Sequence, residues 1–546
     1  MSPAELHAVA PVPVVLATIN ARYIHASMGL RCLLANMDVH GRPGLRAQTV
    51  LREFTLVQSP QQMAEELLAL QPRVVGLGVY IWNAAASLQL VRLLKALAPQ
   101  IKIVLGGPEV SHEVDQQEIC RLADHVITGW GDVSFPRLCR ALIDGPQPLM
   151  KVIAGEQPDL SELALPYEHY SDRDLQQRHL YVEASRGCPY QCEFCLSALD
   201  KTAWPFEVER LLSALAGLFD RGARQFRFVD RTFNLRIDLA SRILSFFLDR
   251  LRDQRGQIVE SAELFVHFEL IPDRLPDALK ALIVQFPRGC LQFEVGVQTF
   301  DPQVQQRISR RQDIERTLDN LRWLVSHSQA HLHADLIFGL PGETLESFAA
   351  GFDRLQAIGV HEIQLGLLKR LRGAPIDRHT DAFGMVYDSQ PPYALLRNDC
   401  VDFATVQRFS RLARYWDLLG NGGRFSRSLQ LLLQGASAFA AFLDWSDWLW
   451  RRTGKTHHFA QESLVDFLFE YLVQERGLED QAVQGALLAD YRASGARGKP
   501  ASLAQLMQSL QSSKGPGPSR GSASSLSGRQ SRHSRLRSED AASPVP

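Results

Sequence analysis

The chain has 546 residues, of which 45% are hydrophobic and 22% charged, and its formal net charge is −1. This length predicts several domains rather than one core, and the near-zero charge excludes a general basic field that would attract nucleic acid. No apolar run approaches the length of a membrane span. The first apolar run follows no basic stretch, so it predicts a first strand and not a secretory signal.

Residues 12–143 alternate between strand-like and helix-like runs. The strand-like runs are Val14–Ile19, Gln48–Phe54, Val74–Tyr80, Ile101–Leu105 and His125–Thr128. Five such units in this order predict a doubly wound, mostly parallel sheet. Sheets of this kind bind ligands beyond the carboxyl ends of their strands. Glycines at those ends would let a large flat ligand approach the backbone, although they could also serve only to turn the chain.

Residues 144–180 carry scattered prolines and predict a linker. Residues 181–371 then return to alternating strand-like and helix-like runs. Six candidate strands are Tyr181–Ala184, Gln225–Asp230, Ala262–Glu269, Cys290–Val297, His331–Phe338 and His361–Leu367. Six such units predict a partial barrel, and barrel enzymes place their chemistry at the carboxyl ends of the strands.

Three cysteines follow the first of these strands in a C-x-x-x-C-x-x-C run: Cys188, Cys192 and Cys195. Three thiolates on one loop can hold three irons of a cubane cluster and leave the fourth iron open to a substrate. Zinc is the alternative, but a structural zinc site usually has four protein ligands. The nearest further candidates are His179 and Cys290, and neither lies near the loop in sequence.

The other five cysteines are scattered and do not indicate a disulfide framework. A reducing cytoplasm therefore fits the chain best, and a reduced cluster would need it.

Residues 372–510 show leucine, alanine and aromatic residues at helical spacing and predict a helical domain. Its tryptophans Trp445, Trp448 and Trp450 fit a bundle core better than a substrate pocket. The tail, residues 511–546, is rich in Ser, Gly, Pro and Arg, and this composition predicts disorder.

The cysteine loop and the Gly339–Glu343 segment, Gly-Leu-Pro-Gly-Glu, resemble the radical S-adenosylmethionine (SAM) superfamily. The resemblance implies a 4Fe–4S cluster on the three cysteines. It also implies that the open iron binds SAM and that an electron from the cluster releases a 5′-deoxyadenosyl radical. The protein residues that carry out later chemistry are not identified by any motif.

The same resemblance suggests how barrel residues contact SAM. Asp230 would accept from the SAM amino group and Asn234 would help to orient it, although Asp230 could instead cap the next helix or pair with Arg231. Glu269 and Glu294 are candidates for the ribose hydroxyls, and Glu294 and Gln298 match the family run better. The adenine contacts implied by the resemblance are Phe194, Ile337 and Gly339.

Residues 12–143 resemble the cobalamin-binding domain that precedes many radical SAM enzymes. The matching pieces imply cobalamin contacts at Gly76, Gly106, Gly107 and Gly129, with Asp132 where the family has glutamate. The D-x-H-x-x-G motif that supplies a cobalt-ligating histidine is absent after the first strand. We therefore expect cobalamin without a histidine on its lower axial face, while an empty domain stays possible. The C-terminal region, with Pro391-Pro392-Tyr393, resembles a subgroup whose reaction is unassigned.

These resemblances predict a radical SAM enzyme that methylates or rearranges an unknown substrate with the help of cobalamin. Flavodoxin or ferredoxin would supply electrons, the substrate would be a small or still unknown molecule, and no membrane or nucleic acid would be involved. The first alternative is methylthiolation of tRNA or protein, but relatives with that activity carry three further cluster cysteines. Cys32, Cys120 and Cys139 form no such motif. The second alternative is a non-catalytic corrin or Fe–S sensor.

Overall fold

A computed structural model of the chain describes residues 12–252, 255–258 and 263–511. Its contacts divide it into two compact units. The first unit takes its described residues from 1–231, 369–378 and 387–394, and the second from 232–368, 379–386 and 395–546. The predicted disordered tail lies outside the described residues except for Gln511, and so does Ala262 at the start of a candidate strand.

The amino-terminal part of the first unit is a six-stranded parallel sheet. Its strands are β1 (Val14–Asn20), β2 (Thr49–Thr55), β3 (Val74–Gly78), β4 (Lys102–Gly106), β5 (His125–Thr128) and β6 (Val152–Ala154). The spatial order is β2-β1-β3-β4-β5-β6, so the direction of winding reverses between β1 and β3. This confirms the predicted doubly wound fold. The short strand β6 corrects the prediction that residues 144–180 form only a linker, because three residues are too few to show a period.

Helices cover both faces of this sheet. They are α1 (Met28–Asn36), α2 (Pro60–Ala69), α3 (Ala84–Leu97), α4 (Glu118–Leu122) and α5 (Ser134–Asp144). Alternate residues of β1 pack with α2 and α3 on one face and with α1 and α5 on the other. All seven residues of β1 are therefore buried, which explains its nearly continuous apolar sequence. Helix α2 begins at a capping box formed by Ser59 and Gln62.

The rest of the first unit begins the second α/β region. Its elements are α6 (Asp172–Gln177), β7 (Leu180–Val182), β8 (Ser185–Arg186), β9 (Trp204–Pro205), α7 (Val208–Asp220) and β10 (Gln225–Phe228). Strands β7 and β10 pair in parallel, and β8 pairs with β9 in an antiparallel ribbon.

The second unit contains four more parallel strands of that region. They are β11 (Phe265–Leu270), β12 (Leu291–Gln298), β13 (His331–Phe338) and β14 (Glu362–Leu367), with helices α8 (Ile237–Arg250), α9 (Asp277–Ile283), α10 (Pro302–Arg307), α11 (Ile314–His327) and α12 (Leu345–Ile358). Each of the six predicted strands is thus present. Residues alternate along β12 between buried apolar side chains and partly exposed polar positions, so one face of the sheet is polar.

The C-terminal region is helical, but its helices begin later than predicted. They are α13 (Phe403–Leu419), α14 (Ser426–Leu432), α15 (Ala438–Thr453), α16 (Gln461–Glu470), α17 (Asp480–Ala493) and α18 (Ala504–Gln511). Residues 372–402 instead contain a 3₁₀ turn at Pro375–His379 and the strands β15 (Val386–Tyr387) and β16 (Leu395–Arg397). Prolines in this stretch interrupt a helix, which explains the error.

Two of the three tryptophans in α15 belong to a core. Trp445 is fully buried and Trp448 nearly so, whereas Trp450 is 36% exposed. The remaining 3₁₀ and π turns are Met37–Gly41, Arg46–Gln48, Val114–Gln116, Leu160–Glu162, Tyr167–His169, Leu196–Leu199, Phe233–Leu235, Tyr471–Glu475 and Ala501–Leu503. None of the helices in the described part of the chain has the length and apolar character needed to cross a bilayer.

A buried network of four charged side chains ties α1, β2 and α6 together. The Arg31 guanidinium lies 2.9 Å from Glu53 and 2.8 Å from Asp174, and Arg178 contacts the same two carboxylates at 2.7 and 3.1 Å. Burial opposes ionisation of Glu53, but the two guanidinium groups outweigh it and hold its pKa below the usual range. Arg178 also donates to the carbonyl of Tyr23, so the network fixes the loop after β1.

We predict that Arg178→Met lowers the free energy of unfolding by roughly 3 kcal/mol, because it leaves buried carboxylates short of a partner. Arg92→Met is the matched control, since Arg92 and Glu118 form an exposed pair whose loss costs about 1 kcal/mol or less. Urea unfolding, followed by circular dichroism, measures the free energy of unfolding of both variants. Equal midpoints for the two variants would contradict this account of the network.

Candidate functional site

The cysteine loop connects β8 to β9 in the first unit. Cys188 and Cys192 are buried, Cys195 is partly exposed, and none of the three forms a disulfide. The loop is shaped by its backbone, since the Cys195 amide donates to the Cys192 carbonyl at 3.0 Å. Gly187 has φ +89°, and a Cβ there would lie 2.1 Å from the Thr202 carbonyl oxygen, so only glycine fits.

Asp230 anchors the chain just before the cysteines. Its carboxylate accepts from the Ala184 amide at 2.9 Å and from the Ser185 hydroxyl at 2.6 Å. Burial raises the pKa of Asp230 to about 6. Both carboxylate oxygens thus already accept hydrogen bonds within the protein. The predicted contact of Asp230 with SAM stays a proposal.

A cavity of about 770 Å³ opens at the carboxyl ends of β1, β3, β4 and β5. It lies at the reversal of strand order between β1 and β3, where doubly wound sheets bind their ligands. The volume is in the range of small-molecule and cofactor sites. The four glycines that the sequence singled out, Gly76, Gly106, Gly107 and Gly129, all line it.

Those glycines have two different tasks. A Cβ on Gly76 would lie 2.5 Å from the Phe135 ring, and one on Gly107 would lie 2.5 Å from the Val79 carbonyl oxygen, so both permit close packing. A Cβ on Gly106 or Gly129 would meet no atom closer than 3.9 Å. These two positions therefore leave open space over the backbone that a flat ligand could fill.

A histidine that the sequence did not identify as a site residue also lines this cavity. The His25 Nδ1 atom lies 2.6 Å from the Tyr181 hydroxyl. Burial, assisted by the charge of Arg227, lowers the pKa of His25 and favours the neutral imidazole. Tyr80 and Trp82, stacked with ring centroids 4.5 Å apart, form another part of the wall.

One arginine connects the cavity wall with the cysteine loop. Arg186, two residues before Cys188, places its guanidinium 2.8 Å from Asp132 and 2.7 Å from Glu183, and all three side chains are nearly buried. Burial raises the pKa of Glu183, against the opposing effect of Arg186. Trp130 packs on the same guanidinium, with 5.0 Å between the Arg186 Cζ atom and the ring centroid. No local pattern indicates this pairing, because 54 residues separate Arg186 from Asp132.

The polar face of the second unit carries two predicted residues, Glu269 and Glu294, within a cluster of titratable groups. They are register partners on β11 and β12, and both act on the pKa of Asp335. The Glu294 carboxylate lies 3.3 Å from His267 Nε2, and this contact lowers the pKa of Glu294. His333 and Asp335 on the next strand are 3.7 Å apart. Burial and the neighbouring carboxylate of Glu294 raise the pKa of Asp335 well above its usual range.

Three members of this cluster, His267, His333 and Asp335, were missed at the sequence level. Their signal is the alternation of polar with apolar residues along strands that otherwise read as apolar. Ile337 lies on the same partly exposed face of β13 as His333 and Asp335.

The ends of β12 and β13 have unusual backbone geometry. The pairing register shifts between Gly296 and Gln298, and Gln298 has φ +72°, a bulge of the kind found beside active sites. Gly339 has φ +89°, and a Cβ there would lie 2.3 Å from the Leu395 side chain. Glycine is therefore required at position 339 by packing as well as by conformation.

Asn234 has a structural task in the second unit. Its amide accepts from the Ile271 amide at 2.9 Å and donates to the carbonyls of Ile271 and Arg274. Both side-chain N–H groups are thereby used, which weakens the expectation that Asn234 orients SAM. Phe194 is partly buried within the cysteine loop.

The residues present fit the two cofactors that the sequence implied. The three thiols of the cysteine loop, which follows Gly187, are a donor set suited to a cubane cluster with one open iron. Gly106 and Gly129 form a cradle that a Cβ would fill. Among the described residues, no three His, Cys, Asp or Glu side chains are gathered to hold a single metal ion.

Family models match three parts of the chain. The B12 binding domain matches residues 14–139, the radical SAM superfamily matches residues 182–355, and a protein family of unknown function (DUF4080) matches residues 381–515.

Two of the similar proteins are methyltransferases by name. The cobalamin-dependent radical SAM methyltransferase TokK of Streptomyces tokunonensis is 28% identical over 57% of this chain and 49% of its own. The 2-(S-pantetheinyl)-carbapenam-3-carboxylate methyltransferase of Streptantibioticus cattleyicolor is 26% identical over 59% of this chain and 50% of its own. The chain thus spans about half the length of these curated relatives.

A solved structure shares the fold. The cobalamin-dependent S-adenosylmethionine radical enzyme OxsB, with aqua-cobalamin bound, aligns with a TM-score of 0.58 over 97% of this chain and 84% of its own, at 12% identity. Along the chain, a region that matches the B12 binding domain is thus followed by one that matches the radical SAM superfamily and by a C-terminal region that matches a family of unknown function.

Proposed function

We propose that the protein is a cobalamin-dependent radical SAM enzyme that methylates, or alternatively rearranges, a substrate still to be identified. The observation that carries this proposal is the occurrence, in one compact unit, of a three-thiol loop and a glycine-lined cavity at a strand-order reversal. When bound, the cluster would supply the electron that cleaves SAM to a 5′-deoxyadenosyl radical, and cobalamin would supply a methyl group.

The first unit's residues would bind and orient the two resident cofactors. Cys188, Cys192 and Cys195 would ligate three irons and leave one site open. Asp230 keeps the backbone before the loop in place. Gly106 and Gly129 would let the corrin approach the sheet edge, and the neutral His25 would offer a polar contact in an otherwise largely apolar wall.

The polar face of the second unit would bind SAM. Glu294, held by His267 and kept ionised, is suited to accept hydrogen bonds from a ribose diol, as acids do in nucleotide sites. Gln298 and Gly339 lie at the ends of β12 and β13, where barrel enzymes place their ligands. Ile337, Phe194 and the backbone at Gly339 are the proposed adenine contacts.

The reaction would consume electrons, so a reductant is required. We propose a flavodoxin or ferredoxin as the donor, a cytoplasmic location and no nucleic-acid substrate. The domain limits that we propose are 12–143, 144–180, 181–371 and 372–510, with a tail from 511 to 546.

The methylthiotransferase alternative is weaker because it requires a second set of cluster cysteines. Cys32 and Cys139 are buried on separate helices of the first sheet, α1 and α5. Burial raises the pKa of the Cys139 thiol well above its usual range. A non-catalytic sensor would require a site that binds SAM without cleaving it.

We predict that Cys188→Ala abolishes both the iron–sulfur absorbance and the formation of 5′-deoxyadenosine, since two thiolates cannot hold three irons. Anaerobic reconstitution, followed by incubation with SAM and dithionite, measures both quantities. Cys400→Ala is the control, because Cys400 is exposed and lies outside the loop. If Cys188→Ala still produced 5′-deoxyadenosine, the radical SAM assignment would be wrong; SAM bound but uncleaved by the wild type would favour the sensor.

We also predict that Gly106→Val weakens hydroxocobalamin binding by about tenfold or more, because the new side chain occupies space that the ligand needs. Gly217→Ala in α7 is the control, since a Cβ there contacts nothing. Titration of each apoprotein with hydroxocobalamin gives the dissociation constants, and iron content is expected to be unchanged. Equal affinities would contradict the placement of the corrin in this cavity.

A further inference from the structure

Two short segments of the first unit contact the loops of both proposed cofactor sites. They are residues 369–378 and 387–394, which we call the strap. The strap follows β14 in sequence, and its second segment includes the Pro391-Pro392-Tyr393 motif within the region matched by the family of unknown function.

One part of the strap holds the loop after β4, which begins with the cavity glycines Gly106 and Gly107. The Tyr393 hydroxyl donates to the buried carboxylate of Glu109. Arg372 donates from Nε to the same carboxylate at 3.1 Å and from Nη1 to Glu113 at 2.6 Å.

Two further contacts bring the strap backbone close to this loop. Arg370 adds an ion pair to Glu113 at 3.0 Å. Gly373 has φ +80°, and a Cβ there would lie 2.3 Å from the His112 ring. The backbone at 373 therefore passes directly against the loop, which no other residue type would permit.

Another part of the strap holds the cysteine loop. Glu193 lies between Cys192 and Phe194, and its side chain is 3% exposed. Its carboxylate accepts from the Arg378 guanidinium, and its carbonyl accepts from the Ile376 amide at 2.8 Å. A carboxylate this deeply buried requires such partners, so the cysteine loop depends on the strap for its position.

We propose that the strap is a positioning element for both cofactors. Arg372 and Tyr393 position the loop after β4, beside the corrin site, through Glu109. Arg378 positions the cysteine loop through Glu193. This inference rests on the proposed function. Because the two sets of contacts involve different side chains, their effects are separable by substitution. Tyr393 of the Pro391-Pro392-Tyr393 motif thereby has a task that is independent of any substrate.

The experiment uses the full-length protein, reconstituted anaerobically, with three variants: Tyr393→Phe, Arg372→Met and Arg378→Met. We expect the first two to weaken hydroxocobalamin binding by about tenfold, since each loses a hydrogen bond to a buried charged group. Their iron content and the electron paramagnetic resonance (EPR) spectrum of the reduced cluster should match the wild type. Arg378→Met should instead alter the g values of the SAM-bound cluster and leave cobalamin affinity within about twofold.

Arg92→Met controls for the loss of a surface arginine in the same unit, and Arg378→Lys should restore much of the wild-type EPR spectrum. The inference is overturned if the Tyr393 and Arg372 variants bind hydroxocobalamin with wild-type affinity. It is also overturned if all strap variants lose both cofactors in proportion to a lower melting temperature, since the strap would then serve only folding. If the wild type holds a cluster but binds no cobalamin, the cobalamin part of the proposed function fails, while the EPR comparison of Arg378→Met still tests the strap's contact with the cluster loop.

Discussion

A four-iron cluster held by three thiolates has one iron without a protein ligand, and the chemistry proposed for this protein depends on that vacancy in the ligand set. The backbone of the cysteine loop determines whether three thiolates can converge. That backbone is constrained at three places. Only glycine fits at position 187, and Asp230 accepts hydrogen bonds from Ala184 and Ser185. Glu193 accepts hydrogen bonds through both its carboxylate and its backbone carbonyl. The backbone of the loop is thus held by contacts within the protein itself.

In the first unit, buried ion pairs join the elements that form the two proposed cofactor sites. Arg186 joins the cysteine loop to Asp132 on the cavity wall, and the network around Glu53 fixes the loop after β1 that carries His25. Removing one member of a buried ion pair lowers the stability of the fold, because the remaining charge is left without a partner and without hydrating water. The stability of this unit and the geometry of its sites therefore depend on the same side chains.

Much of the architecture could be predicted because its signals are local. Apolar runs gave the parallel strands, and the spacing of three cysteines gave the cluster loop. The errors have local causes as well: β6 is too short to show a period, and the prolines between residues 372 and 402 delay the first helix of the C-terminal region to Phe403. The pairing of Arg186 with Asp132, and the meeting of His267, Glu294, His333 and Asp335, depend on strand register and tertiary packing. No pattern within one segment contains that information.

The proposed chemistry requires that one iron of the cluster is free to bind SAM. Electron–nuclear double resonance of the reduced, SAM-bound protein, with ¹⁵N in the SAM amino group, tests it most directly. We expect a hyperfine coupling between that nitrogen and the cluster. A protein that contains zinc at this loop, or a cluster that shows no coupling to bound SAM, would contradict it.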